Sequence, residues 1–126
     1  RSEVVTIGID GGGLDDLLGL SVIGRDRATR EWLHWAHAWA HTVVLERRKS
    51  EAARLRDFER DGDLTIVKTL GDDIAGVIET VEKVDRSGLL ASIGLDPVGI
   101  GAIVDGLAEI GIGSDRIVGI PQGWKL

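Results

Sequence analysis

Two apolar runs in this chain end alike, Ile7-Gly8-Ile9-Asp10 and Ile93-Gly94-Leu95-Asp96. Short apolar, β-branched runs bounded at once by turn residues read as buried strands. The first, residues 4–9, stops at Asp10 and three glycines; the second, residues 89–95, stops at Asp96-Pro97. Ligands of open α/β sheets bind outside the carboxyl ends of the strands. If these two strands are parallel neighbours, about 4.8 Å apart, their carboxylates meet at one edge. Two close carboxylates repel unless a positive charge lies between them. A hard, oxygen-preferring cation such as Mg²⁺ or Mn²⁺ supplies it. Two such ions about 3.5–4 Å apart can activate a water and stabilise a leaving oxygen in phosphodiester hydrolysis. The plainer alternative is that Asp10-Gly11 marks a turn and that Asp96 starts one or caps a helix.

The rest of the chain supplies elements that would bring those strands together. Residues 17–23 read as a second strand, Asp26-Arg27-Ala28-Thr29 as a polar turn, and residues 31–40 as a third strand. Trp32, Trp35, Ala36 and Trp39 also fall at helical spacing. The tryptophan content and the preceding turn favour a strand, with Leu33, Trp35, His37 and Trp39 along one face. Residues 43–61 are charged and helix-favouring, with Leu45, Ala52, Leu55 and Phe58 as a thin apolar stripe and Gly62 as a stop. Residues 64–67 form a short strand. Asp72 or Asp73 is placed to cap a helix that buries Ile74, Val77, Ile78 and Val81. After the second acidic strand, Ile100, Ile103, Val104 and Leu107 define a further helix ending near Gly111, and residues 116–120 a last strand. The order β-β-β-α-β-α-β-α-β predicts an α/β fold with a mixed sheet, antiparallel early, parallel late and flanked by helices.

Composition narrows the chemistry. The 126 residues suit one domain and carry no cysteine, which excludes disulfides, thiol nucleophiles and cysteine-based zinc sites. No tyrosine is present to act as a phenolic acid. No apolar run approaches the roughly 20 residues that span a bilayer, and no signal-peptide pattern opens the chain; no membrane partner is expected. Methionine is absent even at position 1, so the chain reads as a piece of a longer protein. The net charge of −6 runs against nucleic-acid binding. The basic residues are clustered, however, as Arg25, Arg27 and Arg30, then as Arg47, Arg48, Lys49, Arg54, Arg56 and Arg60. A local basic face is compatible with an acidic total; the alternative is a solvated helix of mixed charge.

Other polar residues say less. Asp15 and Asp16 open the second strand facing back toward Asp10, either as supporting ligands or as solvated loop residues. Asp105 lies opposite an apolar stripe and reads as surface. Gly11-Gly12-Gly13 would admit a close backbone approach by phosphate, but no Gly-Lys-Ser/Thr follows to make a nucleotide-binding loop. On a strand His34 faces one way and His37 and His41 the other, which favours packed or solvated histidines over a metal site. Ser21, Ser50 and Ser92 form no nucleophile–histidine–acid arrangement.

Taken together, these residues resemble the nuclease domain of the large terminase subunit of tailed bacteriophages. The similarity runs through Val5-Thr6-Ile7-Gly8-Ile9-Asp10 with Asp16-Leu17, through Gly62-Asp63-Leu64-Thr65-Ile66-Val67, and through Ile93-Gly94-Leu95-Asp96-Pro97. The closing Ile120-Pro121-Gln122-Gly123-Trp124 matches the family's next strand and loop. The resemblance implies an RNase H-like fold over residues 1–126 and an endonuclease acting on concatemeric double-stranded DNA with two Mg²⁺ or Mn²⁺ ions. Asp10 and Asp96 match its first two catalytic acids, Asp10 bridging both ions and Asp96 holding one, and Asp16 matches an acidic position near them. Arg25, Arg27, Arg30, Arg47 and Arg48 are candidates to hold the DNA backbone. The family's third acid falls beyond Leu126 and its ATPase motor ahead of Arg1, so a C-terminally incomplete nuclease domain without the motor is expected, one that binds metal weakly and alone cuts poorly or is inactive. A small terminase subunit and a portal are the implied partners, in the cytoplasm of a bacterial host.

Two other readings compete. Ile7-Gly8-Ile9-Asp10-Gly11-Gly12-Gly13 is also similar to the first phosphate loop of actin-like sugar kinases and ATPases, but Leu14-Asp15-Asp16 follows where Thr-Lys-Thr is usual. Added negative charge beside a triphosphate is unfavourable. The other is a non-catalytic interaction module that keeps the fold without working acids.

Overall fold

The computed structural model describes residues 2–11, 17–69, 71–95 and 101–119, without the side chains of Ser2, Glu3 and Arg47. Strands β1 (Ser2–Gly11), β2 (Leu18–Asp26) and β3 (Trp32–His41) form an antiparallel meander. Helices α1 (Thr42–Arg47) and α2 (Ala52–Arg60) lead to β4 (Leu64–Val67), which lies parallel to β3. Helix α3 (Asp72–Asp85), β5 (Leu90–Leu95), α4 (Gly101–Glu109) and β6 (Ile117–Gly119) follow. The sheet order is β4-β3-β2-β1-β5-β6, with β5 parallel to both β1 and β6. The two acid-bearing runs are therefore adjacent parallel strands, the condition on which their carboxyl ends share one edge.

Alternation along the strands divides the sheet into two unlike faces. Ile7, Ile9, Leu18, Leu20, Trp39, Ile93 and Leu95 turn to one face and pack against Val77 and Val81 of α3 and Ile103 and Leu107 of α4. A register shift after Val5 lets Leu90 and Ile93, three residues apart, both enter this core. On the other face α1 and α2 cover only the β3–β4 end, where Ala40, Val44, Leu55 and Leu64 form a smaller cluster. The first strand is thus buried on one side alone, unlike the fully buried strand read from its apolar run. Gly8 and Asp10 lie open, alternating with the buried Ile7 and Ile9.

The single helix expected over residues 43–61 is two. It breaks at Arg48 (φ −117°, ψ 57°) and restarts after a 3-10 turn at Lys49–Glu51. Val44 and Leu55 are in phase on one helix, since eleven residues make about three turns, but a straight helix would hold them about 16 Å apart along its axis. Both belong to the same small cluster, which the break allows. Gly62 takes φ +85° at the stop the sequence marked. Neither Asp72 nor Asp73 is the cap of α3: the capping position is Gly71, and Asp73 Oδ1 accepts the Ile74 N–H at 2.9 Å. Both carboxylates sit in the first turn, favourable to the helix dipole. At the other end of α3, Arg116 donates to Asp85 Oδ1 at 2.7 Å, and this bond holds the guanidinium above its ordinary pKa.

The β2–β3 turn depends on Asp26, 5% exposed, whose Oδ1 accepts the Ala28 and Thr29 N–H groups at 2.9 Å. Its carbonyl accepts the N–H of Arg30, which holds φ +64°. Asp26→Ala is expected to lower stability by about 1–2 kcal/mol, because two turn N–H groups lose their acceptor. Asp26→Asn retains most of it. Urea unfolding of the two variants checks this.

Candidate functional site

Asp10 is the penultimate residue of β1 and projects on the open face. Its register partner on β2 is Gly19, whose own partner on β3 is Ala38. On the other side, Ile9 pairs with Leu95, the residues that precede Asp10 and Asp96 in the sequence. A groove of about 530 Å³ crosses the open face here, lined by Gly8, Asp10, Gly19, Ser21, Ala36 and Gly94 among others. The floor owes its depth to small residues that the backbone does not require. A Cβ at Gly8 would meet nothing within 4 Å, and at Gly19 only the Asp10 carbonyl at 3.8 Å. Gly11, by contrast, takes φ +87°, and a Cβ there would collide with the Leu17 carbonyl.

Asp63, from the turn between α2 and β4, lines the same groove; the sequence places it in the segment that resembles the family but gives it no role in the site. Its carbonyl accepts the Ala38 N–H at 3.1 Å. Asp10 and Ala38 are two strand spacings apart, about 10 Å, so Asp63 faces Asp10 across the groove rather than beside it. The charged side chains described along this groove are both acids. Such a surface attracts a cation first and repels a bare polyanion. Among the described residues Asp10 alone offers a carboxylate at the β1 end of the groove, the ligand type that a hard divalent ion prefers.

Asp96, Asp16 and Asp15 lie outside the described residues, as do Gly12, Gly13 and the closing run from Ile120 to Trp124. Among the described residues no three His, Cys, Asp or Glu side chains converge on one metal position. Arg25, Arg27 and Arg30 stand at the far end of β2, six or more residues from Gly19 and so about 20 Å from Asp10. There Arg25 Nε donates to the Arg30 carbonyl at 2.9 Å, and its guanidinium lies 5.2 Å from the Trp32 ring centroid. Arg48 is 3.8 Å from Glu51 at the α1–α2 break, while Arg56 and Arg60 pair with Glu59 and Asp57. The Arg47 side chain is outside the described set. His37 contacts Thr65 Oγ1 at 2.7 Å, and His41 Nδ1 accepts the Val43 N–H at the start of α1.

The meander, the parallel β5 and β6 and the flanking helices define an α/β protein with an RNase H-like mixed sheet. Among solved structures, the crystal structure of the HK97 bacteriophage large terminase superposes with a TM-score of 0.75 and 21% sequence identity. The match covers 99% of this chain and 26% of that one, so this chain spans about a quarter of the terminase's length. At that identity the likeness is one of fold. No protein-family model matches the chain, and none of the curated proteins compared with it does. Among the described residues no helix is long and apolar enough to cross a membrane.

Proposed function

We propose that this chain is the nuclease domain of a phage terminase large subunit. In this reading the parent terminase is a metal-dependent endonuclease that cuts concatemeric double-stranded DNA in the host cytoplasm, alongside a small terminase subunit and a portal, and this chain carries its first two acids. The observation that carries the reading is the position of Asp10. It stands at the carboxyl end of β1, beside β5 and over an open, small-residue groove, on a sheet that superposes on a large terminase. Asp10 and Asp96 are the residues to hold Mg²⁺ or Mn²⁺, with Asp16 in support. Divalent ions held there supply Lewis acidity and charge neutralisation for phosphodiester hydrolysis. The chain's own part is to present carboxylates at a fixed strand end and, with small residues on the floor, to keep the groove deep enough to admit a nucleic-acid backbone.

The hairpin arginines fit this reading at a distance. About 20 Å along a duplex is about six base pairs, so DNA lying along the open face from Asp10 would reach Arg25, Arg27 and Arg30 at its other end. Arg47 and Arg48 follow β3 on the Asp10 side of the sheet. Such contacts position the duplex without reading its sequence.

Gly8→Val tests the groove. The backbone accepts a side chain at Gly8 without a clash, and valine favours a strand, so the melting temperature is expected to hold or rise. Affinity for a short DNA duplex with Ca²⁺ present should fall about tenfold as the isopropyl group fills the floor. Undiminished duplex binding by a folded Gly8→Val protein would exclude this groove as the DNA path and favour a non-catalytic module.

A further inference from the structure

On the opposite face, Trp35, His37 and Trp39 project from alternate positions of β3 and make an aromatic ladder. Trp35 and His37 stack within 5° of parallel at 5.8 Å between centroids, and Trp39 meets His37 edge-on at 4.8 Å. Thr65 of β4, the edge strand, holds His37 Nε2 at 2.7 Å and so fixes the middle ring. Helix α3 stands beside the ladder, leaving a groove of about 550 Å³ between them, and Trp35 remains 49% exposed in it. The α3 wall of the groove presents two carboxylates, Asp72 and Glu79, against one lysine, Lys83, which lies 3.7 Å from Glu79. Aromatic faces with carboxylates behind them are complementary to a guanidinium or ammonium group and hostile to phosphate. The same sheet already shows the pairing internally, where the Arg25 guanidinium lies over Trp32.

We propose that this aromatic groove docks a basic peptide segment of a partner protein, an arginine or lysine side chain entering over Trp35 with Glu79 beside it. Exposed tryptophans can also stack nucleic-acid bases, but the acidic wall disfavours a polyanion here. The site lies across the sheet from Asp10 and does not depend on the nuclease reading.

The test follows the tryptophan indole N–H resonances of the ¹⁵N-labelled chain at about 0.15 M salt, titrated with hexaarginine and, separately, with oligothymidylate. Hexaarginine is expected to shift the Trp35 and Trp39 signals. Trp35→Ala should weaken its binding about fivefold, in the range of a desolvated cation–π contact. Glu79→Gln, an exposed helix substitution that leaves the ladder intact, should weaken it about twofold. Asp105→Asn, on α4, should leave it unchanged. Equal losses in Glu79→Gln and Asp105→Asn, with none in Trp35→Ala, would mean that the peptide follows net charge alone, and the proposal would fall. Indole shifts with oligothymidylate and none with hexaarginine would overturn it in favour of single-stranded nucleic acid.

Discussion

Asp10→Asn is expected to weaken Mn²⁺ binding by at least about 100-fold, more than the loss of an outer-shell partner produces, and to remove any metal-dependent DNA cleavage. The amide keeps the size of the carboxylate and discards its charge, which a hard divalent ion requires of its ligands. Stability should stay within about 0.5 kcal/mol, as for other surface substitutions, because Asp10 lies on the open face and not among Ile7, Ile9 and Ile93. Asp63→Asn is the matched control. It removes a charge from the same groove, but two strands away, and is expected to change Mn²⁺ affinity by no more than about threefold. Electron paramagnetic resonance of free Mn²⁺ measures both. Equal effects at Asp10 and Asp63 would mean that the groove gathers cations diffusely and holds none at the end of β1.

The second large effect concerns the contact between β3 and α3. Trp39 is 5% exposed, and its indole lies directly against Gly76, where any Cβ would collide with the ring. Trp39→Ala should cost about 3–5 kcal/mol, the range for emptying a buried aromatic site. Gly76→Ala in the otherwise unchanged chain should cost about 1–2 kcal/mol: overpacking outweighs the gain of about 1 kcal/mol in helix propensity. With Trp39→Ala already in place the ring is gone, and Gly76→Ala should then stabilise by up to about 1 kcal/mol. A reversal of sign between contacting residues is the signature of direct coupling. Denaturant unfolding of the four proteins reads it, and additive effects would exclude the contact.

That contact also shows where sequence reasoning stops. Val77 and Val81 announce α3 by their spacing, and Ile7, Ile9, Ile93 and Leu95 announce the paired strands, because periodicity is local. Why position 76 must be glycine depends on a tryptophan from another element and has no local signal. Tryptophan content and the preceding turn favour strand over helix for residues 31–40, and β3 spans Trp32–His41. The open face was hidden for a related reason. Gly8, Gly19, Ser21 and Gly94 interrupt runs apolar enough to read as buried on both sides, and only the sheet order shows which side α3 and α4 cover. Asp10 was legible because a strand–acid–glycine junction is local, and Asp63 was not, because register alone brings it to the groove. The hairpin arginines were legible as a cluster, but their distance from Asp10 follows from β2 running antiparallel to β1.

The most direct test of the central claim is anomalous diffraction from a crystal soaked in Mn²⁺, repeated on Asp10→Ala. A manganese peak against the Asp10 carboxylate at the β1–β5 edge, lost in the variant, is the predicted result. An empty β1–β5 edge in the unaltered protein, or a peak that persists without Asp10, would contradict a metal-nuclease site on this sheet.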